Sequence, residues 1–225
     1  MSTSLHSLFS PPPRGTVYGT LLNFPGALQA LGEQVHAAPY KAPPKAPVLY
    51  IKPRNTFAID GDAVRVPQDE GELEIGASVG LVIGRTACRV DAAHALEFVS
   101  HLVIVNDISV PHASYYRPSM RFKCRDGFCP IGTPVRREDA GNPDALTLSV
   151  LIDGREVQRS STAGLIRPAR QLIADVSEFM TLHRGDVLML GVPADAPRAR
   201  AGQRVTIAVP GLGQLTNTLV AEGDA

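Results

Sequence analysis

Two stretches of the chain carry side chains that could do chemistry together. The apolar run Leu102 to Val105 ends in Asn106-Asp107, so a buried strand delivers a carboxylate at its exit, and Arg121, Lys123, Arg125 and Asp126 crowd a segment soon after. A carboxylate so placed either caps a turn or faces a pocket. The cations build either an anion-binding pocket or a salt-linked surface, and Arg125 can clasp a carboxylate bidentately, which suits a multiply charged ligand. Lys52 and Arg54, just past Val48-Leu-Tyr-Ile51, could also meet a carboxylate, although most lysines stay in solvent. His112 stands alone in a loop-like stretch and reads as a solvated side chain. Cys88, Cys124 and Cys129 are an odd count with no C-x-x-C pair, so they specify neither a disulfide framework nor a zinc site and read as reduced thiols.

The elements that must position these groups read as mostly β. Thr16 to Asn23 and Val48 to Ile51 have the character of short strands, and Val79 to Ile83 and Leu102 to Val105 of buried ones. Ala27 to His36 predicts a helix stopped by Pro39, and Asp91 suits the N-cap of a second helix running to His101. Tyr40 to Pro47, with three prolines, is loop. The firmest local feature is Leu146 to Ile152, Asp153-Gly154, Arg155 to Arg159: Asp-Gly between two alternating runs specifies a type I′ hairpin, because both turn positions favour positive φ. Thr162 predicts the cap of the longest helix, continuing to about Thr181, with Leu165, Leu172, Ile173 and Val176 on one stripe; Pro168 inside that pattern would move the regular start nearer to itself. Val187 to Leu190 is a further strand, and Val205 to Val209 and Leu215 to Val220 flank Pro-Gly-Leu-Gly as a second hairpin. Roughly nine short strands and three helices, unevenly alternating, predict a β-rich α+β domain and not a wound α/β sheet.

Size and charge narrow the function. At 225 residues the chain can bury one large core, and no break in composition argues for two. Residues 16–222 are therefore expected to form a single domain behind a flexible lead-in, 1–15, that contains Pro11-Pro12-Pro13. Lys plus Arg equals Asp plus Glu, at 22 each, which removes the basic excess of a nucleic-acid or anionic-membrane binder. No apolar run approaches the roughly 20 residues of a membrane span, and Met1 to Arg14 lacks the apolar stretch of a signal peptide, so a cytoplasmic location is expected.

Six blocks occur in order along about residues 16 to 220. They are Tyr40-Lys-Ala-Pro-Pro-Lys45, Ile51-Lys-Pro-Arg-Asn-Thr56, Val82-Ile-Gly-Arg85, Val105-Asn-Asp-Ile108, Lys123-Cys-Arg-Asp-Gly-Phe-Cys-Pro130, and Ser177-Glu-Phe-Met-Thr-Leu182 with Arg184-Gly-Asp186. In these the chain resembles the fumarylacetoacetate hydrolase family. The resemblance implies that family's β-roll with a few flanking helices, its sheet layers wrapped around a central pocket. It also implies a homodimer or an assembly with a paralogous subunit. Within the family, Tyr40 to Lys45, the Phe-Cys-Pro ending and the length resemble the first half of a duplicated isomerase/decarboxylase. That implies a subunit acting on unsaturated, dicarboxylated 2-oxo acids in aromatic catabolism, by decarboxylation and a double-bond shift through proton transfer. Two other functions stay open: a non-catalytic structural subunit paired with a metal-competent paralogue, and a divergent hydrolase of acylpyruvates.

The family's chemistry rests on a divalent cation, held by carboxylates, that chelates the 2-oxo acid and stabilises charge on oxygen as a C–C bond breaks or a proton moves. By resemblance, Asp107 is the metal-ligating and catalytic aspartate, and Lys123 the catalytic lysine facing the substrate's oxyanion. Arg125, Arg117 and Tyr116 fall where substrate-contacting groups occur. The departures are equally specific. The family's Glu-x-Glu ahead of the Val-Ile-Gly-Arg strand is replaced by Gly76 and Ser78. Glu72 and Glu74 share that parity, so a slipped register could return them to the same face; otherwise they are a solvated strand edge. A His/Glu proton-transfer pair is replaced by Ala27 and Ala30, an arginine by Pro111, and the threonine of a late Gly-Thr-Pro turn by Val192. With one aspartate, Mg2+ or Mn2+ is expected only when substrate and water complete its octahedron, and none in the free chain.

Overall fold

The computed structural model describes residues 15–112 and 119–223. Residues 1–14 of the expected lead-in lie outside them, as do Tyr116 and Arg117. Among the described residues the strands are β1 (Val17–Leu21), β2 (Val48–Lys52), β3 (Phe57–Ile59), β4 (Ala63–Val66), β5 (Leu73–Glu74), β6 (Ala77–Ile83), β7 (Val99–Asn106), β8 (Cys129–Ile131), β9 (Val135–Arg136), β10 (Thr147–Ile152), β11 (Arg155–Ser161), β12 (Val187–Met189), β13 (Arg198–Ala199), β14 (Arg204–Val209) and β15 (Gly213–Ala221). The α-helices are α1 (Pro25–Gln29), α2 (Met120–Lys123) and α3 (Ala169–Phe179). The main sheet runs β2-β1-β12-β6-β7-β8-β3, with β9 beside the start of β7. A second sheet runs β11-β10-β14-β15-β4, and β5 pairs with β13 in a separate ribbon. No described helix is long and apolar enough to cross a membrane.

The central strand β6 is buried along its whole length because both of its faces are covered. Val79, Leu81 and Ile83 face the larger core together with Leu102 and Ile104 of β7, Leu148 and Val150 of β10, and Leu172, Ile173 and Val176 of α3. Each such side chain contributes about 1.5–3 kcal/mol relative to exposure. Val82, Val103 and Val105 turn the other way, into a second core with Val17, Val187, Met189 and Ile131. This is the two-residue alternation of a strand, and Asp107 continues the parity of Val103 and Val105. Tyr50 and Phe57 pack against that same second core.

The β-rich, few-helix fold agrees with expectation, and so do both hairpins. Asp153 and Gly154 have φ of +51° and +80°, as a type I′ turn demands. The helices depart from it. The one expected over 27–36 is the single turn α1 followed by a 3-10 turn, Gly32–Val35, because Gly32 at φ +48° interrupts the right-handed path. The helix expected from Asp91 to His101 shrinks to a 3-10 turn, Ala95–Phe98. Asp91 caps only the N–H of Ala93 at 2.7 Å, and from Val99 the chain is held in β7, where His101 pairs with Arg136. Helix α3 starts after Pro168, not at Thr162. Pro168 is extended at ψ 160°, and the Thr162 hydroxyl accepts the N–H of Leu146 at 2.8 Å.

Candidate active site

Strand pairing brings the first component into place. β2 runs antiparallel to β1 with Tyr50 directly opposite Gly19. A Cβ at Gly19 would overlap the Tyr50 ring, so glycine is what lets the ring lie across β1. The Tyr50 hydroxyl donates a short hydrogen bond to Asp107 Oδ2. Two residues on, Lys52 shares the face of Tyr50. Its ammonium donates to the carbonyls of Ile108 at 3.0 Å and of Lys123 at 2.7 Å, and lies 2.8 Å from Asp107 Oδ1. The contact with Oδ1 lies off the hydrogen-bonding direction and is purely ionic. Lys123, the last residue of α2, donates from Nζ to Asp107 Oδ2 at 2.7 Å and sits 5.0 Å from the centre of the Tyr50 ring.

All three charges are withdrawn from water: Lys52 and Asp107 are each 1% exposed and Lys123 6%. Charges so buried persist only when paired. Burial alone would raise the Asp107 carboxyl, but Lys123 and Lys52 outweigh it and hold the group ionised, well below the ordinary carboxylate range. Burial, and then the Asp107 charge, push the Tyr50 phenol well above its usual value, so it stays a donor. Two ammoniums against one carboxylate leave this cluster with one net positive charge.

Asp107, Lys123 and Tyr50 line a cavity of about 590 Å³. Its other walls come from Thr20 to Leu22 at the end of β1, Ala27 and Ala30 at α1, Val192 to Ala196, His112, and Glu74 and Arg198 of the β5–β13 ribbon. The structure thus brings Asp107 and Lys123 together on one cavity. It does not bring Arg125 there: that guanidinium lies 3.5 Å from Asp69 and 3.6 Å from Glu70. Lys123 closes α2, whereas Arg125 lies past the C-cap at Cys124, and its Nε turns back to donate to the Arg121 carbonyl at 3.2 Å. Lys52 and His112 exceed the roles their sequence context suggested. Thr20 and Arg198 had no local signal at all. Thr20 is 2% exposed, and its hydroxyl has no hydrogen-bond partner among the described residues.

The donors around Asp107 do not fit the family's divalent cation. Oδ2 of Asp107 is taken by Tyr50 and Lys123, and Oδ1 faces Lys52. A divalent ion on either oxygen would lie within about 4 Å of an ammonium, a repulsion of about 8 kcal/mol at an effective dielectric of about 20. Of the two upstream glutamates only Glu74 reaches the cavity, and it does so without a slip of β6. Glu72 accepts from Arg198 at 2.8 Å, and Glu74 lines the cavity 3.9 Å from the same guanidinium, in a ribbon of their own and not in a slipped β6. Gly76 leaves no room for a side chain: a Cβ there would overlap the Asp107 carbonyl oxygen and lie 3.1 Å from the Asp107 Cβ. Ser78 is buried, its hydroxyl donating to the Gly191 carbonyl at 2.7 Å. Among the described residues no group of three or more His, Cys, Asp or Glu side chains could hold a metal. Gly76→Glu is accordingly expected to cost about 1–3 kcal/mol by overpacking, read by denaturant unfolding, and to create no Mn2+ affinity by calorimetry.

Residues 16–220 match the family described as fumarylacetoacetate (FAA) hydrolase, C-terminal. The chain is 42% identical over 211 residues to a 4-hydroxyphenylacetate degradation bifunctional isomerase/decarboxylase of Salmonella dublin, covering 94% of this chain and 48% of that protein. It therefore spans about half the length of the curated relatives it matches first. Among solved structures, a 5-carboxymethyl-2-hydroxymuconate delta-isomerase from Mycobacterium smegmatis superposes with a TM-score of 0.78 at 29% identity, over 93% of this chain and 80% of the other. A fumarylpyruvate hydrolase from Pseudomonas aeruginosa, in complex with Mn2+ and pyruvate, shares the fold with a TM-score of 0.80 at 23% identity, over 92% and 90%.

Proposed function

The chain belongs to the fumarylacetoacetate (FAA) hydrolase family, and from that premise we propose that its cavity binds a 2-oxo acid bearing more than one carboxylate. We further propose that the chain works as one half of an isomerase/decarboxylase of the kind it resembles. The observation that carries this is the Lys123 ammonium, fixed by Asp107 on the wall of the cavity. When a carboxylate conjugated to the 2-oxo group leaves as CO2, the electron pair of the broken C–C bond passes to the oxo oxygen. Lys123 has further N–H donors beyond the one given to Asp107, and these meet the developing enolate. Asp107 pairs with Lys123 and orients it, and Tyr50 donates to the same carboxylate oxygen. Reprotonation at carbon then completes the double-bond shift. His112 lines the cavity with its ring stacked on Phe122, and the Val110 carbonyl 2.9 Å from Nδ1 can only accept, so Nδ1 carries a proton and Nε2 is the atom that can take up and release a second one. We assign that transfer to His112: Nε2 takes a proton from solvent water and gives it to the carbon, replacing the CO2 that was lost.

The relatives' length, about twice the stretch matched here, supports a working unit of two family domains, the second from another copy or from a paralogue. The test is turnover of an unsaturated, dicarboxylated 2-oxo acid, followed by loss of its conjugated absorbance and by CO2 release, for the chain alone and mixed with a paralogue. Turnover that depends on this chain is the expected result; no contribution from it in either mixture would overturn the proposal. Thr20→Val supplies a finer check. Losing one neutral hydrogen bond to substrate should raise KM about three- to tenfold, while the folded state, relieved of a buried unsatisfied hydroxyl, unfolds at the same or higher temperature.

A further inference from the structure

We infer that Lys52 is a built-in counter-cation occupying an oxygen-lined cation site at Asp107, and that the cavity binds an oxo-carboxylate without a metal ion. The inference rests on the oxo-acid reading of the cavity and adds to it the source of positive charge. The Lys52 ammonium is surrounded by one carboxylate oxygen and two backbone carbonyl oxygens at 2.7 to 3.0 Å. Carboxylate and carbonyl oxygens grouped in this way are the ligands of a hard cation. Here the cation is covalently part of the chain, and it is 1% exposed. It is fixed at two points: β2 sets its backbone opposite Val17 of β1, and the two carbonyls that receive its protons bracket the site from the segment after β7 and from the end of α2.

Lys52 and Lys123 consequently divide the work. Lys52 donates to protein oxygens and does not line the cavity, so it is a positioning residue acting through Asp107 and through the carbonyl of Lys123. Lys123 lines the cavity and faces the ligand. Gly76, just ahead of β6, belongs to the same arrangement, since the chain there closes against the Asp107 backbone, with the Asp107 N–H donating to the Gly76 carbonyl at 2.8 Å. No side-chain carboxylate can stand at position 76 beside Asp107, and Glu74, which lines the cavity, faces the Arg198 guanidinium at 3.9 Å.

The experiment is calorimetry of oxalate binding to the full chain in EDTA and again in Mn2+, with Mn2+ uptake followed separately by electron paramagnetic resonance. The expected result is one oxalate per chain in EDTA, strengthened less than twofold by Mn2+, and no oxalate-dependent Mn2+ uptake. Oxalate binding that appears only with Mn2+, with one ion taken up per chain, would overturn the inference and leave the oxo-acid reading intact. No oxalate binding under either condition would overturn both. Lys52→Met should weaken oxalate at least tenfold in EDTA and give oxalate-dependent Mn2+ uptake, because Asp107 Oδ1 loses its ammonium; unchanged oxalate affinity in this variant would also overturn the inference. If that variant does not fold, the two titrations of the unaltered chain decide alone.

Discussion

Lys123→Ala is expected to lower kcat/KM by about three orders of magnitude while the protein stays folded. Removing one preorganised donor to an oxyanion costs about two to three orders of magnitude in rate, and here a full positive charge goes with it. The fold should tolerate the change, because Asp107 keeps both Lys52 and Tyr50 as partners. Steady-state kinetics beside thermal unfolding separates the two effects. Lys123→Arg should not rescue the rate, since a planar guanidinium cannot reproduce a compact ammonium held between Asp107 and the Tyr50 ring. A variant within tenfold of the parent would mean that this lysine does not meet the reacting oxygen.

Asp107→Ala has the largest expected effect on stability. It strands two ammoniums, one of them 1% exposed, with only backbone carbonyls as acceptors for Lys52. Breaking a buried pair from one side costs about 3–5 kcal/mol, which in a chain of this size lowers the melting temperature by about 10 °C. Lys52→Met should cost less, because it leaves Asp107 and Lys123 as a neutral pair. The order of the two variants is therefore itself a test of the charge count. The Asp107 carboxyl is held well below its ordinary 3.8, so its contribution is complete at neutral pH and is lost only as the pH falls below that value. Denaturant unfolding at pH 7 and at pH 3 should show the parent losing part of its advantage over Asp107→Ala in acid.

The strands and hairpins were legible because their signals are local. The period of two in β6 and β7 and the Asp-Gly turn after Ile152 need no distant information. The helices read too long because caps and apolar stripes compete with pairings that a local window does not contain, as where β9 captures the chain at His101. The same rule separates the site residues. Asp107 could be found at a strand exit and by its resemblance to a family aspartate. Lys52 was undervalued because its acceptors lie 56 and 71 positions away. Arg198 reaches the cavity only through the β5–β13 ribbon, and Thr20 only by ending β1 beside it. Among the cations of 121–125 no local signal says which one turns to the cavity, and Arg125, past the end of α2, is held by Asp69 and Glu70 instead.

Where oxalate sits is the most direct question to put to this protein. In a crystal of the chain soaked with oxalate in the presence of a chelator, a ligand oxygen should lie within hydrogen-bonding distance of Lys123 Nζ, with the Lys52 ammonium still against Asp107. Oxalate bound away from Lys123, or a rearranged cluster in which Lys52 has left Asp107, would contradict the account.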